Sequence, residues 1–156
     1  MGSTADIAAR EDVRRAGLSA DGPLPRLLTL LRIAEETHID AADAQRIAAE
    51  GGLAIGRAEI ADLLEALAGR GLLGRVPTMG TAPVYDSVAH PHSHMLDEAT
   101  ATMVDLDVSP ETLSAIIRQA IADQPGRVDV LLRIRAPQPA PAATPRKAGR
   151  PRLTAR

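Results

Sequence analysis

The chain has 156 residues, a formal net charge of −2 and 45% hydrophobic residues, enough for one packed domain or two small ones. It contains no cysteine, which excludes disulfides, thiolate zinc sites and cysteine nucleophiles. Its single tyrosine is the only aromatic residue, so a core must be built from Leu, Ile, Val and Ala, and stacking platforms for single-stranded nucleic acid are missing.

The first twenty residues include Asp6, Arg10, Glu11, Asp12, Arg14 and Arg15, unlike a signal peptide, and no apolar run reaches the roughly 18 residues of a membrane span. A cytoplasmic protein with no membrane partner is expected. Residues 6–16 read as a short helix ending at Gly17. A second helix starts near Pro25, with Leu27, Leu28, Leu30, Leu31 and Ala34 forming one broad apolar face. His38, in the turn that follows, reads as a surface residue. Asp40 is a good N-cap for a helix over 41–50 with Ile47 inward, and Gly51-Gly52 end it. The next helix spans 56–69, with Ile60, Leu63, Leu64 and Leu67 at core spacing.

The period then changes. Residues 72–76 and 83–86 flank Met79-Gly80 as a hairpin with a glycine-bearing turn. Short helices followed by a two-stranded hairpin have the order of a winged helix-turn-helix. Next comes Ala89-His90-Pro91-His92-Ser93-His94, which holds three of the four histidines on alternate positions. On a strand these imidazoles would share one face. Asp86 precedes them, and Asp97, Glu98 and Asp105 follow. Imidazole nitrogen with carboxylate oxygen suits zinc, iron(II) or manganese(II).

Residues 92–96 and 102–108 read as strands. Ser109 caps a helix whose apolar stripe is Leu113, Ile116, Ile117 and Ala120. Residues 128–135 read as a last strand. A strand-strand-helix-strand unit of about 45 residues is too small to be comfortably stable alone, so its apolar strands point to burial in a dimer. From Ala136 the composition falls to mostly Ala, Pro, Arg and Thr. No acidic residue follows Asp129, and the end reads as a disordered basic tail suited to a polyanionic partner. The expected fold class is α+β: an N-terminal winged helix-turn-helix, then a small β-β-α-β dimerisation unit.

This order of elements resembles the ferric uptake regulator family, and within it most closely the iron response regulator branch. The resemblance covers about residues 13–135. It rests on Arg70-Gly71-Leu72-Leu73, Val84-Tyr85-Asp86, the histidine run, Met103-Val104-Asp105-Leu106 and Val130-Leu131-Leu132-Arg133-Ile134-Arg135. It implies a metal- or haem-responsive transcriptional regulator, not an enzyme, that binds duplex DNA as a homodimer and controls iron homeostasis genes. The implied domains are 1–86 for DNA binding, 87–135 for dimerisation and metal sensing, and 136–156 for the tail. The implied metal ligands are Asp86, His92, His94 and Asp105; alternate spacing adds His90. For haem, His90, His92 or His94 would be axial ligands. A further metal site of the family is lost, because its positions in the run hold Pro91 and Ser93.

The segment matching the family's reading helix is Gly56-Arg57-Ala58-Glu59-Ile60-Ala61, where Glu59 and Ala61 replace a threonine and a tyrosine. Arg26, Arg57, Arg70 and Arg75 are the candidate phosphate contacts, and Glu59 can accept from cytosine N4. Lys147-Ala148-Gly149-Arg150-Pro151-Arg152 resembles an AT-hook core, which would lay Arg150 and Arg152 in a narrow minor groove. The altered helix also supports an alternative: a paralogue that acts by heterodimerising with an intact relative. No nucleophile or acid/base pair independent of the histidine cluster speaks for catalysis.

Overall fold

A computed structural model describes residues 3–130 apart from Met79, Ala89, Pro91 and Ala101. Helix α1, Thr4–Arg15, opens on a reciprocal cap between Ser3 and Asp6 and turns Ala9 and Val13 inward. Helix α2, Leu24–Ile33, buries Leu27, Leu28 and Leu31 completely. Strand β1 is only His38–Ile39. Helix α3, Ala41–Glu50, is capped by Asp40, whose carboxylate accepts from the Ala42 and Asp43 amides. Helix α4, Arg57–Gly69, contributes Ile60, Leu64 and Leu67 to the core. Strands β2, Gly74–Val76, and β3, Val84–Asp86, form the wing, and β3 lies between β1 and β2 in an antiparallel sheet.

A Cβ built on Gly51 would come within 2.4 Å of the Leu30 side chain, so glycine lets the end of α3 lie directly on α2. Among the described residues the buried apolar side chains all fall between Ala9 and Tyr85. Each fully buried Leu or Ile there contributes about 1.5–3 kcal/mol.

The remainder is an antiparallel pair, β4 (Ser93–Asp97) and β5 (Thr102–Leu106), followed by helix α5 (Pro110–Asp123), capped by Ser109. Helix α5 buries no residue. Its expected core stripe of Leu113, Ile116, Ile117 and Ala120 is only half-buried, because the described residues around it offer too little apolar surface to close over it. Of the strand expected over 128–135, residues 128–130 carry no regular structure, and the rest lies outside the described residues, as does the tail with Arg150 and Arg152. No helix of the described residues is long and apolar enough to cross a membrane.

Candidate metal centre

The rows of the N-terminal sheet prepare the site. His38 on β1, Asp86 on β3 and Gly74 on β2 are register partners, as are Ile39, Tyr85 and Arg75 in the next row. Adjacent rows of a pleated sheet face opposite sides, so Asp86 and Tyr85 leave β3 in opposite directions. A Cβ on Gly74 would lie 3.2 Å from the Asp86 Cβ, so glycine leaves room for that carboxylate.

On the other side of the site, His94 and Asp105 are partners across the β4–β5 ladder. His92 enters just before β4 with the same alternation. The rings converge: centroids are 4.4 Å apart for His92 and His94, and 5.1 Å for His38 and His94. His92 Nε2 lies 3.1 Å from Asp86 Oδ2 and 3.2 Å from Asp105 Oδ1. His94 Nε2 lies 3.4 and 3.5 Å from the same two oxygens. His38 Nε2 is 2.8 Å from Asp105 Oδ1.

These donor separations match the edges of a coordination polyhedron. For bonds of about 2.1 Å, neighbouring ligand atoms sit about 3.0–3.4 Å apart. The hydrogen-bond pattern agrees. His38 Nε2, His92 Nε2, His94 Nε2 and Asp105 Oδ1 are buried without a hydrogen-bond partner. Even the short His38–Asp105 approach is out of line for a hydrogen bond, so proximity there reflects convergence rather than pairing. Buried polar atoms without partners are costly, and one cation among them would satisfy all four. The four side chains each offer an atom within 4.8 Å of the others, and Asp86 adds a second carboxylate against His92 and His94.

The far sides of His92 and Asp86 are held. His92 Nδ1 lies 2.9 Å from the His90 carbonyl; donation there leaves the Nε2 lone pair toward the cluster. Asp86 Oδ1 accepts from the Val88 amide at 2.7 Å, leaving Oδ2 for the histidines. Burial opposes a charge on His92, but the His90 carbonyl and the Asp86 and Asp105 carboxylates outweigh it and raise its pKa above the ordinary histidine value. Burial lowers the His94 pKa, and the adjacent His92 lowers it further.

Two readings of the sequence need correction. His38 is not a surface residue: its side chain is 16% exposed and it belongs to the cluster. His90 is not part of the cluster, which among the described residues takes His38, His92, His94 and Asp105. Its ring is 62% exposed, 3.8 Å from a still more open Asp107. Asp97 and Glu98 are also exposed and lie outside the cluster.

The candidate DNA-contacting arginines divide. Arg26 is paired with Asp6, and Arg75 with Glu65. Arg57 and Glu59 stand exposed in the first turn of α4, and Arg70 is exposed just beyond its end.

No protein-family model matches the chain, and no curated protein matches it. Solved structures do. The ferric uptake regulator of Pseudomonas aeruginosa with manganese is 24% identical, with a TM-score of 0.61 over 80% of this chain and 92% of that one. The Vibrio cholerae ferric uptake regulator is 22% identical, with a TM-score of 0.57 over 73% and 86%. The Francisella tularensis ferric uptake regulator with iron is 16% identical, with a TM-score of 0.54 over 74% and 88%. The chain therefore has the fold of these regulators.

Proposed function

We propose that this chain is a metal-responsive transcriptional regulator of the ferric uptake regulator family that binds duplex DNA as a homodimer and controls iron homeostasis genes. The observation that carries the reading is the convergence of His38, Asp86, His92, His94 and Asp105 from β1, β3, β5 and the β4 region. The fold shared with regulators solved with manganese and iron supports it.

Three imidazoles and two carboxylates suit iron(II), manganese(II) or zinc(II). Haem fits less well. A macrocycle would leave few positions for protein ligands, whereas four mutually close donors with a second carboxylate beside two of them suit a bare ion. A bound cation supplies positive charge that holds the two carboxylates and three imidazoles together. The chain's own contribution is mechanical: His38 and Asp86 belong to the wing sheet, while His92, His94 and Asp105 belong to the β4–β5 unit. Holding them together fixes one unit against the other and favours one placement of the reading helices. A ligand shifts such an equilibrium only by its difference in affinity for the two placements.

In this reading residues 1–86 bind DNA, 87–135 dimerise and sense metal, and 136–156 add a basic arm. Helix α4 enters the major groove, with Arg57 and Glu59 at base edges and Arg70 at phosphate. Arg26 and Arg75, already paired with carboxylates, contribute less. Arg150 and Arg152 add minor-groove contacts.

The test is titration of the purified chain with iron(II), manganese(II) and zinc(II) while duplex affinity is followed. Tighter DNA binding in step with metal occupancy is expected. Metal binding that leaves DNA affinity unchanged would sink the sensor reading.

A further inference from the structure

Tyr85 lies beside the metal centre in sequence but faces the other way. It is the chain's single aromatic residue and is 2% exposed. Its hydroxyl donates to Glu65 Oε1 on α4 at 2.5 Å. The second oxygen of that carboxylate accepts from Arg75, the residue opposite Tyr85 on β2. One carboxylate of the helix is thus gripped from two strands of the wing. The next residue along β3, Asp86, places its carboxylate against His92 and His94, and its register partner His38 is a member of the cluster.

We infer that Tyr85 is a positioning residue that ties α4 to the metal centre, because β3 carries Asp86 into the cluster on one face and the Tyr85–Glu65 contact on the other. The inference rests on the metal-sensing reading above and adds a route to it. A strand as short as Val84–Asp86 has no internal slack. When Asp86 is drawn onto a cation, the strand shifts, and the phenol moves with it against Glu65. A hydrogen bond from a buried phenol to a half-exposed carboxylate is either made or broken, a discrete pair of arrangements that coupling between sites can use.

The same residue reports on the step. A phenol hydrogen-bonded to a carboxylate has quenched emission, and no other aromatic residue contributes. Zinc(II), colourless and redox-inert, is the probe. Occupancy is measured by equilibrium dialysis and tyrosine emission is followed in parallel. The full-length chain should change its emission in step with zinc bound. Glu65→Ala, a truncation at a half-exposed site, should bind zinc equally well with emission that no longer responds.

Tyr85→Phe keeps the buried ring and loses only the hydroxyl, so its zinc affinity and thermal melt should stay near wild type. Its zinc-induced gain in affinity should fall about tenfold, within the usual range of coupling, for a duplex selected by the wild-type chain from random sequence. Zinc bound with wild-type emission flat would overturn the inference and leave the metal centre standing. A response that survives in Glu65→Ala would overturn it too, since the phenol would then sense the ion directly. Failure of zinc, iron(II) and manganese(II) to bind would remove the metal reading and this inference together.

Discussion

Two side chains of the site are aimed by contacts on their far sides: His92 by the His90 carbonyl, Asp86 by the Val88 amide. The aim of His90 is therefore in its backbone, and its imidazole faces solvent. Replacing His38 with alanine should weaken zinc binding, measured against a competing chelator, by more than the roughly 10–100-fold typical of an outer-shell partner. His90→Ala should leave it unchanged. The opposite ranking would show that the histidine run alone holds the ion. The spacing of His92, His94 and Asp105 was legible because strand alternation and hairpin pairing are local patterns. His38 was not, because its membership depends on a pairing with Asp86 across 48 positions of chain, which no local period records. Tyr85 offers a second check at this scale. Burial, followed by the Glu65 hydrogen bond and charge, raises its pKa from 10.0 to about 12. A neutral phenol stabilised in this way adds stability that is present below the unfolded pKa and lost as pH rises through the folded one. Phenolate absorbance should thus titrate well above that of the urea-unfolded chain, and Glu65→Ala should bring the two curves closer. Coincident curves in the wild type would mean the hydroxyl is not held.

Among the elements, α5 and the β4–β5 pair have surface to spare. Met95 and Val104 face each other across the ladder and are 46% and 42% exposed. The helix carries an apolar stripe that no described residue fully covers. The five helices were readable in advance, since caps such as Asp40 and Ser109 and core residues at helical spacing mark most of them, although the first begins at its unread Ser3 cap, two residues before the expected start. The two-residue β1 was not, being shorter than any period can reveal. The stripe on α5 was readable as a pattern, but what packs on it was not, because no described residue buries it. If the outer face of β4–β5 meets a second copy, Met95→Glu with Val104→Glu should raise the dimer dissociation constant at least about a hundredfold, since unpaired carboxylates cost several kcal/mol in an apolar interface. Sedimentation would show the shift, and far-ultraviolet circular dichroism should hold, as neither side chain belongs to the buried core. A double variant that stays dimeric would put the interface elsewhere.

At the scale of the whole molecule, charge is divided along the chain. Residues 136–156 contain Arg146, Lys147, Arg150, Arg152 and Arg156 and no acid. The net charge of −2 less this tail's +5 leaves −7 for residues 1–135. A body of that sign repels a polyanion, and its α4 surface adds exposed Glu59 and Asp62 to the repulsion. Several of its arginines are already neutralised by neighbouring carboxylates, Arg15, Arg26, Arg32 and Arg46 among them. The affinity for duplex DNA proposed here then depends heavily on the tail. Each phosphate neutralised adds about 0.9 to the slope of log affinity against log salt. Removing residues 136–156 should reduce that slope by up to about 4, with the greatest loss of affinity at low salt. Metal binding at the cluster should be untouched, because none of its donors lies in the removed segment. Fluorescence anisotropy with a labelled duplex over a series of salt concentrations reads the slope directly. An unchanged slope would mean that the body alone meets the phosphates, and Arg10, Arg14, Arg57 and Arg70, which carry no ion pair among the described residues, would be the side chains to replace next.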